Sequence, residues 1–209
     1  MNKAKLIADV RHCLDEQGLL TDIAMSTEDS LPIDQRIEAL ACDSFNTLQH
    51  ILPLKYLTPS PLPTDGHIKD IQQGTGIIPV PADFLRLYVF RLEGWRKSVT
   101  NTISEDSPEY AYQLCSATRG GINNPVVAIV DGGKYFKYFS LPKGKERHAF
   151  ERAAYVKVAT DITQAWFEKE AYGLFVWWLA KDVAVSFQRN TQQIESIIKT
   201  MLDSYGNQL

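Results

Sequence analysis

Six cations between residues 134 and 152 stand among aromatic side chains, a pattern that could bind a polyanion. Basic residues that alternate with aromatic residues can follow a nucleic-acid backbone, because cations contact phosphates while rings stack on bases. The same alternation describes a two-faced strand with aromatic residues in the core and lysines in water, and we keep both interpretations. The candidates for contact with DNA or another partner are Lys134, Lys137, Lys143 and Lys145.

Motifs that would indicate catalysis or metal binding do not occur in the sequence. The four histidines are widely separated and form no HExxH motif. No glycine run matches a phosphate-binding loop, and no serine occupies a GxSxG elbow. We therefore predict a protein that is not an enzyme and holds no metal or cofactor. The alternative is a small cytosolic enzyme whose site is assembled from scattered residues.

Residues 171–180, AYGLFVWWLA, contain no charge and two adjacent tryptophans. The run is too short to span a bilayer and is flanked by charges, so it is not a membrane span. A helix here would be apolar around nearly its whole circumference, so nearly all of it would have to be buried against other parts of the protein or another subunit. Four helices cover one stripe well but a whole circumference poorly, so the surface is either intrachain core or a subunit interface. The interface candidates are Phe175, Trp177, Trp178 and Phe187.

The composition is that of a globular protein with a formal net charge of −3, which does not favour general nucleic-acid binding. The scattered cysteines Cys13, Cys42 and Cys115 form no CxxC pair and indicate reduced thiols in a cytosolic or particle-borne protein. The first seventeen residues lack the continuous apolar segment of a signal peptide.

Helical periodicity predicts helices over 2–17, 30–52, 163–188 and 190–206. The range 84–92 alternates imperfectly and is interpreted as a strand, with a helix as the rival. Asp131-Gly132-Gly133 between two β-rich runs predicts a hairpin within an antiparallel sheet of four or five strands. The predicted fold is α+β: residues 1–52 and 161–209 form a helical bundle, 53–80 a Pro/Gly-rich linker, and 81–160 a small antiparallel β insertion.

Three segments resemble a known protein family. IPVPADFLRLYVFRLEGW, the Tyr and Gln of SPEYAYQ, and NPVVAIV resemble head-to-tail adaptor, or tail-tubular, proteins of short-tailed phages, including crAss-like phages of Bacteroidetes. That family has helices at both ends, an "lPaDflrl" segment that opens the β part, and a late tyrosine followed by long apolar helices. The corresponding positions here are Pro81–Leu87, Tyr155 and 163–205. The resemblance covers residues 76–205.

The resemblance implies a structural virion protein. A closed ring of about twelve copies would lie beneath the portal protein, around the channel through which DNA passes. The helices would pack between subunits, the β part would contact the portal or tail proteins, and the basic hairpin would face a partner or the DNA. The rivals are the enzyme described above and a DNA-binding accessory protein that uses the hairpin.

Overall fold

The computed structural model describes residues 1–16, 33–70, 73–141, 149–165, 167 and 169–206. The chain divides into two compact units, one of residues 1–58 with 158–209 and one of residues 59–157. We call the first the helical unit and the second the β unit. The described residues form five α-helices: α1 (Lys3–Glu16), α2 (Ile33–Ile51), α3 (Pro108–Leu114), α4 (Lys169–Ser186) and α5 (Gln192–Gly206).

The helical unit is organised around α4, which packs against α1, α2 and α5. The bounds of α1 and α2 confirm the predicted helices, whereas α4 begins later than the predicted start at 163. Residues 162–164 form a turn instead, in which Oδ1 of Asp161 accepts hydrogen bonds from the backbone N and Oγ1 of Thr163, both at 2.8 Å. A 3-10 helix at Leu54–Tyr56 follows α2.

The β unit contains eight described strands in two sheets. The three-stranded sheet has the order β1-β8-β4 and the five-stranded sheet the order β2-β3-β7-β6-β5. Neighbours are antiparallel except β5 and β6, which are parallel. The strands are β1 (Ser60–Pro61), β2 (Ile68–Asp70), β3 (Thr75–Pro79), β4 (Phe84–Leu92), β5 (Ile103–Ser104), β6 (Val127–Val130), β7 (Tyr135–Phe139) and β8 (Phe150–Lys157).

One apolar cluster joins the two sheets. It contains Phe90 and Tyr155 from the three-stranded sheet and Phe136 and Tyr138 from the five-stranded sheet. Trp95 is buried in the same cluster, and its indole Nε1 donates a hydrogen bond to the carbonyl oxygen of Ser140 at 3.0 Å. The β unit is therefore a two-layer structure with its own core.

The predicted fold, a helical bundle with one small antiparallel β insertion, is wrong. The described chain is α+β with five helices and two sheets, one of them partly parallel. Three strands lie within 60–79, in the range interpreted as a linker. Proline is tolerated there because Pro61 belongs to the edge strand β1 and Pro79 ends β3.

The range 84–92 is a strand, and its irregular alternation has a structural cause. The register between β4 and β8 shifts at three places along β4, which is the signature of bulges. Leu87 and Phe90, three residues apart, consequently both enter the core cluster. The predicted hairpin is confirmed: β6 and β7 are antiparallel, and Asp131 at their turn has a φ of 55°.

Candidate interaction surfaces

The apolar run of α4 is mostly covered within a single chain. Phe175 is 0% exposed, and its ring centroid lies 5.5 Å from that of Phe45 and 5.7 Å from that of Phe167. Leu174 and Leu179 are equally buried. The expectation that the helical unit could not cover this helix is therefore wrong for most of its circumference, and Phe175 is a core residue.

One side of α4 keeps accessible apolar surface. Trp177 and Trp178 are half-buried, and Val185 is 54% exposed. Lys181 lies between them, with Nζ 4.1 Å from the ring centroid of Trp178. Spacings of three and four residues place Trp178, Lys181 and Val185 on one face of the helix. We call these residues, with Trp177, the α4 strip.

Phe187 does not belong to the α4 strip. It is half-buried and follows the last residue of α4. Its backbone N still donates to the carbonyl oxygen of Val183 at 3.3 Å, so the helical turn continues to Phe187. Nine residues separate it from Trp178, which is about two and a half helical turns and places it on the opposite side of the axis. Of the four residues predicted for a subunit interface, Phe175 is therefore a core residue, and Trp177 and Trp178 belong to the α4 strip. Phe187 lies apart from both.

The hairpin cations Lys134 and Lys137 have local partners. Nζ of Lys134 lies 3.4 Å from Oδ2 of Asp131. Lys137 is half-buried, with Nζ 5.8 Å from the ring centroid of Tyr110 and 5.7 Å from that of Phe139. Lys134 keeps 70% of its side-chain surface exposed, whereas Lys137 lies against the two rings, and Lys143 and Lys145 lie outside the described residues.

A carboxylate also reaches the tip of this hairpin. The two oxygens of Glu105 accept hydrogen bonds from the backbone N of Asp131 at 2.9 Å and of Gly132 at 3.1 Å. Consecutive amides at positive φ form a small anion-binding concavity. Because Glu105 occupies it, the tip carries negative as well as positive charge. An open cavity of about 420 Å³ adjoins it, lined by 102–106, Ile129 and the two glycines of the turn.

Two segments that carry the family resemblance meet in the β unit. The Tyr155 hydroxyl donates a hydrogen bond to Oδ1 of Asp83 at 2.7 Å, across a sequence separation of 72 residues. Oδ2 of Asp83 lies 3.5 Å from Nζ of Lys157. Burial, then the hydrogen bond and the negative charge of Asp83, raise the pKa of Tyr155 to about 12. Sequence spacing gave no signal for this contact, which ties the start of β4 to the end of β8.

A comparable contact ties α1 to α4 in the helical unit. The Tyr172 hydroxyl donates to Oδ2 of Asp9 at 2.7 Å, and Nζ of Lys5 donates to the same oxygen at 2.5 Å. Burial acts to raise the pKa of Asp9, but the hydrogen bonds from Lys5 and Tyr172 outweigh it and leave that pKa below its usual value. Both tyrosine–carboxylate contacts hold together elements that are distant in sequence.

The described residues contain no group of three or more His, Cys, Asp or Glu side chains arranged to hold a metal ion. Among the helices that the structure describes, none is long and apolar enough to cross a membrane. Comparison with protein-family models and with curated proteins finds no match to this chain.

Proposed function

We propose that this chain is a structural virion protein, a head-to-tail connector that forms a ring beneath the portal around the DNA channel. The assembly part of the proposal rests on one observation, the accessible α4 strip with two half-buried tryptophans and an exposed valine. The connector part rests on the resemblance of residues 76–205 to head-to-tail adaptors. About twelve copies are expected from that resemblance.

The α4 strip suits a contact between identical subunits for a physical reason. Aromatic side chains are enriched in protein interfaces, where they bury a large area with little loss of conformational entropy. The strip contains only four residues, because most of the other apolar side chains of α4 are buried. The proposed interface is therefore narrower than the sequence suggested, and Phe175 supports it only by fixing α4 from inside.

The neighbours in the proposed assembly are further copies of this chain, the portal protein and other neck or tail proteins. The β unit, with its separate core, is the part proposed to contact the portal or tail.

The test is native mass spectrometry of the full chain, alone and mixed with the portal protein of its own phage. We expect ring-sized species, and we expect Trp178→Ser combined with Val185→Ser to reduce them at least tenfold. Tyr112→Ser is the matched control for assembly of the chain alone, because Tyr112 is 60% exposed but lies in the β unit. Circular dichroism of each variant checks that the helical unit is folded.

Two results would overturn the proposal. The first is a chain that stays monomeric both alone and with the portal protein. The second is a double variant that assembles as well as the unaltered chain, which would remove the α4 strip from the interface.

A further inference from the structure

The edge strand β2 of the five-stranded sheet exposes an isoleucine and a carboxylate on one face. Side chains alternate along a strand, so Ile68 and Asp70 project from the same face, while Lys69 projects from the other. Ile68 is 62% exposed, and Asp70 is exposed as well. On the neighbouring strand β3, the half-buried Ile77 lies directly opposite Ile68 in the register. We call Ile68, Asp70 and Ile77 the β2 patch.

The β2 patch combines apolar surface with a negative charge. The Cβ atoms of directly opposed residues lie about 4.5–5.5 Å apart, so Ile68 and Ile77 form one continuous apolar surface. Oδ1 of Asp70 accepts a hydrogen bond from the backbone N of Gln73 at 3.0 Å, which holds the carboxylate at the end of β2. A carboxylate has further acceptor positions, so this hydrogen bond leaves Asp70 able to bind a cation.

The proposed ring requires each copy of the chain to offer two different surfaces. A closed ring of more than two copies is built from head-to-tail contacts, in which one surface of each copy meets a different surface of the next copy. An α4 strip that paired with the α4 strip of a neighbour would give a two-fold dimer instead of a ring. The α4 strip therefore needs a complementary surface elsewhere on the neighbouring copy.

The α4 strip has the composition that complements the β2 patch. Its apolar residues flank Lys181, whose side chain is 21% exposed and whose Nζ lies 3.1 Å from Oδ1 of Asp182. An ammonium group has three donors, so the contacts with Asp182 and the Trp178 ring leave it able to bind a second carboxylate. Lys181 and Val185 are about 6 Å apart along the helix axis, and the charged and apolar ends of β2 are about 6.5 Å apart along the strand. The two surfaces therefore match in spacing as well as in charge.

The other exposed large apolar side chains outside α4 offer this combination less well. Among the described residues they are Ile51, Tyr112, Leu114 and Ile122. No acidic residue lies within four positions of Ile51, Leu114 or Ile122 in the sequence, so these side chains lack a carboxylate on the same turn or strand. Tyr112 has Glu109 one helical turn away on α3 and is the rival surface.

We propose, on the basis of the ring described above, that the α4 strip of one copy packs on the β2 patch of the next copy. The tryptophans and the valine of the strip bury the two isoleucines, and Lys181 binds Asp70 across the contact. Apolar burial supplies most of the binding energy, whereas the ion pair fixes the orientation of the two copies. The partner that fits the strip is thus a different face of the same chain.

The test mixes two variants of the full chain under the conditions in which the unaltered chain assembles, and native mass spectrometry measures the species formed. The strip variant carries Trp178→Ser and Val185→Ser. The patch variant carries Ile68→Ser and Asp70→Asn, and the asparagine keeps an oxygen that can accept the hydrogen bond from the backbone. Each variant alone should form about tenfold fewer ring-sized species than the unaltered chain. An equal mixture should form a one-to-one dimer, because one intact strip then meets one intact β2 patch.

Tyr112→Ser tests the rival surface and should assemble like the unaltered chain. Circular dichroism checks that each variant is folded, which is expected for the patch variant because both altered side chains are exposed. Three results would overturn the proposal: a patch variant that forms rings as well as the unaltered chain, a mixture that stays monomeric, or loss of assembly in Tyr112→Ser. Each of these would leave the proposed ring in place, whereas an unaltered chain that never assembles would refute the ring as well.

Discussion

The hydrogen bond from Tyr155 to Asp83 gives a prediction whose sign changes with pH. Tyr155→Phe removes a hydroxyl that donates at 2.7 Å but leaves the ring in the core. A hydrogen bond to a charged acceptor contributes about 1.5–3 kcal/mol, and Asp83 is partly exposed, which favours the low end. We expect the variant to lower the free energy of unfolding of the β unit by about 1–1.5 kcal/mol at pH 8.

At alkaline pH the Tyr155 hydroxyl no longer stabilises the folded β unit. The folded pKa of Tyr155 is raised to about 12 from an ordinary value near 10, so the unfolded chain loses this proton first. The stabilisation is complete below pH 10 and is lost as the pH rises towards 12. By linkage, the tyrosine protein loses about 1.4 kcal/mol between pH 8 and pH 11 from this group alone. The difference in free energy of unfolding between the unaltered chain and Tyr155→Phe should therefore vanish or reverse near pH 11.

The assay is urea unfolding followed by the fluorescence of Trp95, the tryptophan of residues 59–157. Both proteins carry phenylalanine at the three tryptophan positions of the helical unit, so the signal reports the β unit alone. Tyr112→Phe is the control, since it removes a tyrosine hydroxyl from a side chain of the same unit that is 60% exposed. If Tyr155→Phe changed the free energy of unfolding of the β unit by the same amount at pH 8 and at pH 11, the assigned hydrogen bond would be refuted.

Three further predictions concern packing and charge. Phe175→Ala should destabilise the helical unit by about 3–5 kcal/mol in urea unfolding, because it leaves a cavity where three rings meet. Gly76→Ala should destabilise the β unit by about 1–3 kcal/mol because a Cβ there meets the buried ring of Tyr138, whereas Gly121→Ala, in open space, should not. Asp9→Asn should lower the Tm of the helical unit at pH 7, and the effect should fade as the pH drops below about 4. The lowered pKa of this carboxylate gives that sign, because its stabilisation is lost on protonation.

Local rules predicted the elements whose signals lie within a few residues. The hairpin follows from the turn chemistry of Asp131-Gly132-Gly133. The amphipathic stripe of α2 gave its bounds within the described chain. Each of these depends on the chemistry of one short segment, which is fully present in the sequence.

The two sheets could not be predicted by the same rules. Strands β1, β2 and β3 are two to five residues long, too short for a period to be recognised, and they are held by partners distant in sequence. In β4 the bulges break the alternation that assigns side chains to faces.

Which residues of α4 remain accessible could not be predicted for a different reason. Hydrophobicity identifies α4 as a helix that must be buried. It does not indicate whether the same chain or another subunit buries it. Phe175 and Trp178 are equally apolar in the sequence, and only the positions of α1, α2 and α5 make one a core residue and the other half-buried. Composition therefore indicated the need for cover, and packing decided which residues were left accessible.

The α4 strip also predicts how the assembly should respond to salt. Assembly through this strip buries mainly apolar surface, and hydrophobic association is weakened little by ordinary salts. A salt titration should therefore leave the mass of the assembly unchanged. If the assembly dissociated as salt rose, the Lys181 charge within the strip would control assembly instead of apolar burial.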